Sequence, residues 1–177
     1  KGYELLYLIP LPLAYLKANI DENLYEVELF DNAIDNIKCR TDEFINPIKD
    51  FKPDLVGVST WSPMFPEALD ILRLSKELFP NVVTIMGGAH VTAYYKKIVG
   101  TEGIDFLMRG EGELSFPIFL DELQKESPDW SRAPGLVYPT GEDYHASEQQ
   151  FAQGEQLDQI KLPDYTFINL RKYVKAG

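Results

Sequence analysis

Short apolar runs alternate with longer segments of helical period along most of the chain. The clearest buried strand is the run PDLVGVST at residues 53–60, and the clearest helix is PEALDILRLSKELF at residues 66–79. This alternation is typical of repeated βα units around a parallel sheet. Strands are predicted at Tyr3–Ile9, Tyr25–Asp31, Pro53–Thr60, Asn81–Met86 and Ile104–Gly110. Helices are predicted from near Pro12 and at Asp42–Phe51, Pro66–Phe79, Tyr94–Val99 and Gly112–Lys125.

Five such units predict an α/β fold with a flavodoxin-like, doubly wound, parallel five-stranded sheet. After Pro128 the pattern changes, and the run APGLVYPTGEDY predicts a small β-hairpin with Thr140 and Gly141 in its turn. An irregular tail follows this hairpin. We therefore expect an α/β domain over residues 1–128 and a hairpin with a linker over residues 129–177.

Composition narrows the classes of partner. Hydrophobic residues make up 45% and charged residues 25% of the chain, as in a globular protein. The formal net charge of -11 repels phosphate backbones, so we expect no nucleic-acid partner. No apolar run approaches the roughly 20 residues that span a bilayer, and the first ten residues do not resemble a signal peptide. We therefore expect a cytoplasmic protein without a membrane span.

The ligand crevice of a doubly wound sheet lies at the carboxyl ends of its strands. After the first predicted strand the sequence LIPLPLAYL offers no glycine-rich turn for a dinucleotide or a flavin phosphate. The third predicted strand ends in Ser59 and Thr60 rather than in the aspartate of a phosphate-accepting receiver. The sequence therefore disfavours three common functions of this fold: binding a dinucleotide, binding a flavin and accepting a phosphoryl group.

The strand ends instead carry small residues and hydroxyls. One strand end carries Gly57, Ser59, Thr60 and Ser62, and the next carries Gly87, Gly88 and Thr92. Absent side chains would leave a trench, and hydroxyls could bond polar parts of its occupant. The run RGEGE at residues 109–113 adds backbone amides at a helix entrance. Such a trench suits a long tail with a broad, flat group above it.

Each of these features also has a structural interpretation. His90 could organise its loop or contact the ligand, and Gly88 could serve a tight turn with positive φ rather than ligand approach. Ser59 and Thr60 could cap the segment that follows. Glu111 and Glu113 are better explained by the dipole at a helix N-terminus than as a catalytic pair.

The segments PLAYL, PDLVGVST, MGGAHVTA and DFLMRGEGELSF, followed by GLVY and LPDY, carry a family resemblance. Together they resemble the N-terminal cobalamin-binding domain of cobalamin-dependent radical S-adenosylmethionine enzymes. That group includes methyltransferases and the anaerobic magnesium-protoporphyrin monomethyl ester cyclase type. The resemblance spans nearly the whole chain in the right order.

The resemblance implies that a corrin ring lies over the strand ends while its nucleotide tail enters the trench. Trp61 and Met64 would then face the corrin or pack as core residues. No D-x-H-x-x-G motif follows the first predicted strand, so a histidine ligand on the lower face of the cobalt is not expected. No catalytic or metal-ligating residue is assigned. The implied cofactor-binding residues are Ser59, Thr60, Ser62, Gly87, Gly88, His90, Thr92, Arg109, Gly110, Glu111 and Gly112.

The function implied is presentation of a corrinoid, methylcobalamin, for methyl transfer to a substrate radical. S-adenosylmethionine and a [4Fe-4S] cluster would bind a following barrel domain of the same polypeptide, because Cys39 is the single cysteine of this chain. The segment Leu162–Tyr165 resembles the link toward that barrel, and the chain alone is not expected to be active. The alternatives are a cyclase-like radical enzyme and a non-catalytic interaction module that lost the cofactor.

Overall fold

A five-stranded mixed sheet is the central feature of the computed structural model, which describes residues 9–32, 34–149, 152–166 and 168–176. The strands lie side by side in chain order. They are β1 (Leu55–Ser59), β2 (Val83–Gly87), β3 (Phe106–Met108), β4 (Leu136–Thr140) and β5 (Asp143–Ala146).

The sheet has a parallel half and an antiparallel half. β1, β2 and β3 run parallel, with Ser59 opposite Gly87 and Ile85 opposite Phe106. β4 then pairs antiparallel with β3, and β5 antiparallel with β4. The carboxyl ends of β1 to β3 therefore meet at one edge of the sheet, which we call the carboxyl edge.

Helices cover both faces of the parallel half. They are α1 (Leu11–Asn19), α2 (Asp42–Phe51), α3 (Phe65–Leu78), α4 (Ala89–Ile98), α5 (Gly112–Leu123), α6 (Glu155–Gln159) and α7 (Leu170–Ala176). Leu72 of α3 and Val91 of α4 pack with Met86 on one face of the sheet. Phe119 of α5 packs with Ile85 on the other face. Burying one such side chain contributes about 2 kcal/mol, which holds these helices on the sheet.

The sequence-based fold class is confirmed as α/β with a five-stranded sheet, and the hairpin turn at Thr140 and Gly141 is confirmed. Three of the five predicted parallel strands form β1 to β3, whereas the other two strands of the described sheet come from the hairpin, which was expected outside the sheet and pairs antiparallel with it. The predicted strand Tyr3–Ile9 lies outside the described residues except for Ile9, which is separated from α1 by Pro10 alone.

Two further predicted elements differ from the structure. Residues 25–31 form an irregular segment and no strand. Tyr25 and Val27 of this segment pack against the core under α5, while the residue between them is exposed. This one-sided burial explains the alternation of apolar and polar residues in the sequence. Helix α4 begins at Ala89, five residues earlier than predicted from Tyr94. The domain boundary near residue 128 stays a prediction.

No helix within the described ranges combines the length and the hydropathy that crossing a bilayer requires.

Candidate ligand site at the carboxyl edge

The carboxyl edge brings together the polar and glycine residues that follow β1, β2 and β3. The β1 and β2 ends are joined by backbone hydrogen bonds. Thr60 N–H donates to the Gly87 carbonyl at 3.0 Å, and His90 N–H donates to the Thr60 carbonyl at 3.2 Å. The first bond continues the sheet ladder by one residue, so the two ends are held in fixed register.

The two neighbouring glycines of this edge serve different purposes. Gly88 has φ +96°, and a Cβ there would lie 2.5 Å from the Thr60 carbonyl oxygen, so the chain's own backbone requires a glycine. A Cβ on Gly87 would lie 3.6 Å from the Met108 carbonyl oxygen, which is ordinary contact. Gly87 therefore has room for a methyl group, whereas the space beside Gly88 is filled by Thr60.

The surface that corresponds to the predicted trench is the face of β1 that looks toward the side of α5. Side chains alternate along a strand, so Leu55, Gly57 and Ser59 share this face. Leu55 packs against the core under α5, but Gly57 and Ser59 are exposed. Since Ser59 is paired with half-buried Gly87, the floor of the trench carries two glycines and one hydroxyl.

His90 organises the first turn of α4. Its Nδ1 lies 2.9 Å from Ser62 Oγ, and its ring packs between Phe65, at 4.5 Å between centroids, and Tyr94, at 5.1 Å. These contacts tie the loop after β1 to α4. Beside them Trp61 is 59% exposed, which excludes the alternative that it is a core residue.

Thr92 joins the end of β2 to the end of β3. Its hydroxyl donates to the Gly88 carbonyl at 3.1 Å and accepts from Gly110 N–H at 2.9 Å. Thr92 N–H also donates to the Gly88 carbonyl at 3.1 Å. One side chain thus spans the gap between the two loops.

Arg109 is directed toward the hairpin. Its guanidinium donates to the Gly135 carbonyl at 3.3 Å and to the Ser147 carbonyl, and it lies 4.4 Å from the Tyr95 ring centroid. Gly135 has φ +74°, and a Cβ there would approach the Arg109 carbonyl oxygen to 2.4 Å. Arg109 therefore fastens the hairpin to the end of β3.

The next two residues of this loop contact other elements. Glu111 Oε2 accepts from Ala152 N–H at 3.3 Å, and a Cβ on Gly112 would lie 2.9 Å from Cδ2 of Leu16 in α1. Glu113 follows in the first turn of α5, and its Oε2 is buried without a hydrogen-bond partner. The loop after β3 is thereby attached to the hairpin, α4, the C-terminal segment and α1.

The predicted site residues consequently form two sets. Ser59 and Gly87 lie on the floor of the trench, and Ser62 has an exposed side chain that contacts His90. The others make contacts within the protein that hold the edge together: Thr60, Gly88, His90, Thr92, Arg109, Gly110, Glu111 and Gly112.

Two residues are missing from the predicted cofactor-binding set, although the sequence already groups Gly57 with the small residues of this strand end. Gly57 lies in the middle of β1, and a glycine inside a strand is the signal for close approach of a ligand or another backbone. Gly135 has no comparable local signal, since its partner Arg109 is 26 residues away. Within the described ranges, no three His, Cys, Asp or Glu side chains gather closely enough to hold a metal ion.

Residues 5–120 match the family model of the B12 binding domain. The uncharacterized methyltransferase PH0819 of Pyrococcus horikoshii is 30% identical over 171 residues, which cover 95% of this chain and 36% of that protein. The anaerobic magnesium-protoporphyrin IX monomethyl ester cyclase of Rubrivivax gelatinosus is 28% identical over 169 residues, covering 93% of this chain and 30% of the cyclase. The chain thus spans about a third of the length of these relatives.

A solved structure has the same fold. The cobalamin-dependent S-adenosylmethionine radical enzyme OxsB, with aqua-cobalamin bound, superposes with a TM-score of 0.73 at 17% identity. The superposition covers 97% of this chain and 23% of OxsB. This likeness supports the α/β architecture described above.

Proposed function

The chain belongs to the B12-binding domain family, and from this premise we propose that it binds a cobalamin at the carboxyl edge. The family match confirms the resemblance inferred from the sequence. The observation that carries the proposal is the floor formed by exposed Gly57 and Ser59 on β1, the edge strand of the described sheet, beside half-buried Gly87 on β2.

The trench fits a flat or elongated group that enters from the edge. A Cβ on Gly57 would lie 3.4 Å from Ile85 Cγ2, and one on Gly87 would lie 3.6 Å from the Met108 carbonyl. Both positions could therefore accept a side chain sterically, and without one they leave room for an occupant. We assign the nucleotide tail of cobalamin to this trench.

The residues that would contact the cofactor are those on the floor and rim of the trench. The Ser59 and Ser62 hydroxyls can bond polar groups of the tail, and Ser62 also holds His90. The exposed ring of Trp61 offers an apolar surface to the corrin. Thr60 takes no part in direct contact, because it is 1% exposed and its hydroxyl donates to the Trp61 carbonyl.

Bound cobalamin supplies a cobalt that carries a transferable methyl or another reactive ligand. The chain's own part is to hold the corrin against the carboxyl edge and to leave its outer face accessible. We propose methyl transfer to a substrate radical, with S-adenosylmethionine and the iron-sulfur cluster on a further domain. The methyltransferase among the relatives supports this reading, and the greater length of the relatives agrees with a further domain.

We further propose that residues 129–177 lead toward that domain. The hairpin extends the sheet, and the segment after it returns to α1, where Asp164 N–H donates to the Ala14 carbonyl at 3.0 Å. Leu162 in this segment is 85% exposed. The cyclase among the relatives keeps a cyclase-like reaction open as the second candidate.

Retention of a corrin tests the proposal directly. The protein is mixed with hydroxocobalamin, desalted and measured by visible absorbance, and we expect retained corrin in the wild type. Gly57→Leu should abolish retention because its side chain fills the trench, whereas Gly57→Ala should reduce it less.

The matched control places the same bulk elsewhere. Ser127→Leu adds an exposed leucine after α5, away from the carboxyl edge, and should retain corrin as the wild type does. A folded wild type that retains no corrin would instead support the interaction module. Equal retention of corrin by Gly57→Leu and Ser127→Leu would contradict the assignment of the nucleotide tail to the trench.

A further inference from the structure

The proposed cobalamin site depends on how far apart the loops of the carboxyl edge are held. The loop after β1 and the loop after β2 are joined by two backbone hydrogen bonds through Thr60. The loop after β2 and the loop after β3 are joined differently, through the hydroxyl of Thr92.

The hydroxyl of Thr92 is oriented by its own helix. A threonine hydroxyl has one proton to donate and two lone pairs that accept. The proton is committed to the Gly88 carbonyl at 3.1 Å, so a lone pair remains for Gly110 N–H at 2.9 Å. The direction of the hydroxyl therefore sets the position of Gly110.

Gly110 is a point where the chain changes direction. Its φ of +75° turns the backbone out of β3 and toward α5, between Arg109, which holds the hairpin, and Gly112, which lies against α1. Its N–H is already used by Thr92, so it is not an open donor for a ligand. Thr92 therefore fixes the start of this turn.

We infer that Thr92 is a positioning residue for the corrin site, acting through Gly88 and Gly110 rather than by contact with the cofactor. This inference rests on the proposed function. Thr92 keeps the loops after β2 and β3 at a fixed separation, so the free protein already has the shape that receives the corrin. Apparent affinity falls in proportion to the fraction of molecules in the competent shape.

The test compares two substitutions at this residue. Thr92→Val keeps the shape of the side chain and removes the hydroxyl, whereas Thr92→Ser keeps the hydroxyl. We expect Thr92→Val to weaken hydroxocobalamin binding about fivefold, the equivalent of one ordinary hydrogen bond, through slower association. Thr92→Ser should bind within about twofold of the wild type. Thr140→Val, at the exposed hairpin, is the matched control and should bind normally.

A second measurement reports on the hydrogen bond between Gly110 N–H and the Thr92 hydroxyl in the absence of cofactor. Amide hydrogen exchange of Gly110 in the free protein should be several-fold faster in Thr92→Val and unchanged in Thr92→Ser. Unchanged exchange in Thr92→Val, or equal weakening of corrin binding by both variants, would overturn the positioning role. A wild type that binds no hydroxocobalamin would overturn the proposed function, and the exchange rates would still decide whether Thr92 holds the loop.

Discussion

The two edges of the parallel sheet satisfy their polar groups in opposite ways. At the amino edge, where β2 and β3 begin, Asp105 Oδ2 accepts from Lys76 Nζ at 2.5 Å, Thr84 N–H at 2.8 Å and Thr84 Oγ1 at 3.0 Å. Lys76 also donates to the Val82 carbonyl at 2.6 Å. This edge is closed by a charged network around a fully buried threonine.

The carboxyl edge is held by backbone hydrogen bonds, by side chains that bond single backbone groups, such as Thr92, Arg109 and Glu111, and by the close packing of Gly88. No ion pair joins its residues in the part of the chain that the structure describes. At this edge Gly57 and Ser59 stay exposed. The comparison indicates that one edge is built for stability, while the other keeps its shape through close backbone packing and remains open to a ligand.

The largest effect should come from adding one methyl group to the carboxyl edge. Gly88→Ala places a Cβ 2.5 Å from the Thr60 carbonyl at φ +96°, ψ -177°, a region that only glycine enters readily. We expect the free energy of unfolding to fall by about 3 kcal/mol, measured by urea denaturation.

Gly87→Ala is the control, because its Cβ meets only an ordinary contact at 3.6 Å. It should change the free energy of unfolding by less than about 1 kcal/mol. If the two alanine variants were equally stable, the close packing of Gly88 on Thr60 would not be what holds this edge.

A smaller effect is expected at the amino edge. Asp105→Asn keeps the shape of the side chain but removes the charge that Lys76 faces. Both side chains are about one-third exposed, which limits the cost. We expect the free energy of unfolding to fall by about 2 kcal/mol, with hydroxocobalamin retention unchanged.

Asp158→Asn, on the exposed surface of α6, controls for the loss of a carboxylate and should leave stability near that of the wild type. Loss of corrin from folded Asp105→Asn protein would contradict the division of the two edges, because it would tie the charged network to the ligand site.

The sequence predicts the parallel half of the sheet well because its strands and helices carry strong local signals. Residues 55–58 are continuously apolar before Ser59, and α3 has an apolar face. The sequence also predicts the hairpin turn, but it does not predict that the hairpin pairs with β3. That pairing joins residues almost 30 positions apart, and no local pattern encodes it.

The sequence predicts which polar residues and glycines meet at the carboxyl edge, but it does not predict the contacts that they make there. The sequence identifies Gly88 as a glycine at a strand end, but only the fold reveals that Thr60 fills the space beside it. Arg109 was expected near the ring, and its partners Gly135 and Ser147 come from the distant hairpin. Long-range contacts decide which polar residues are left for a ligand.

The smallest expected effect is a change in the pH dependence of stability at the C-terminal end of α5. Corrin binding at the carboxyl edge should not change with it. The Glu122 carboxylate is 1% exposed and accepts from Lys125 Nζ at 2.7 Å, Asp129 N–H at 3.0 Å and Arg132 Nη1 at 2.6 Å. The hydrogen bond from Lys125, followed by that from Asp129, lowers the pKa of Glu122 below its ordinary value of 4.5. Because the pKa is lower in the folded state than in the unfolded state, the ionised carboxylate stabilises the fold at any pH above its ordinary pKa. This contribution is lost as the pH falls through the lowered pKa.

The wild type should therefore lose free energy of unfolding as the pH falls below 4.5, and Glu122→Gln should show a shallower dependence in that range, measured by urea denaturation across acid pH. Exposed Glu126→Gln should keep the wild-type slope. Glu122 lies ten residues along α5 from Gly112, about 15 Å at the helical rise, so Glu122→Gln should retain hydroxocobalamin normally at pH 7. If the folded variant lost corrin there, binding would depend on charged groups far from the carboxyl edge, and the contrast with the open edge would no longer hold.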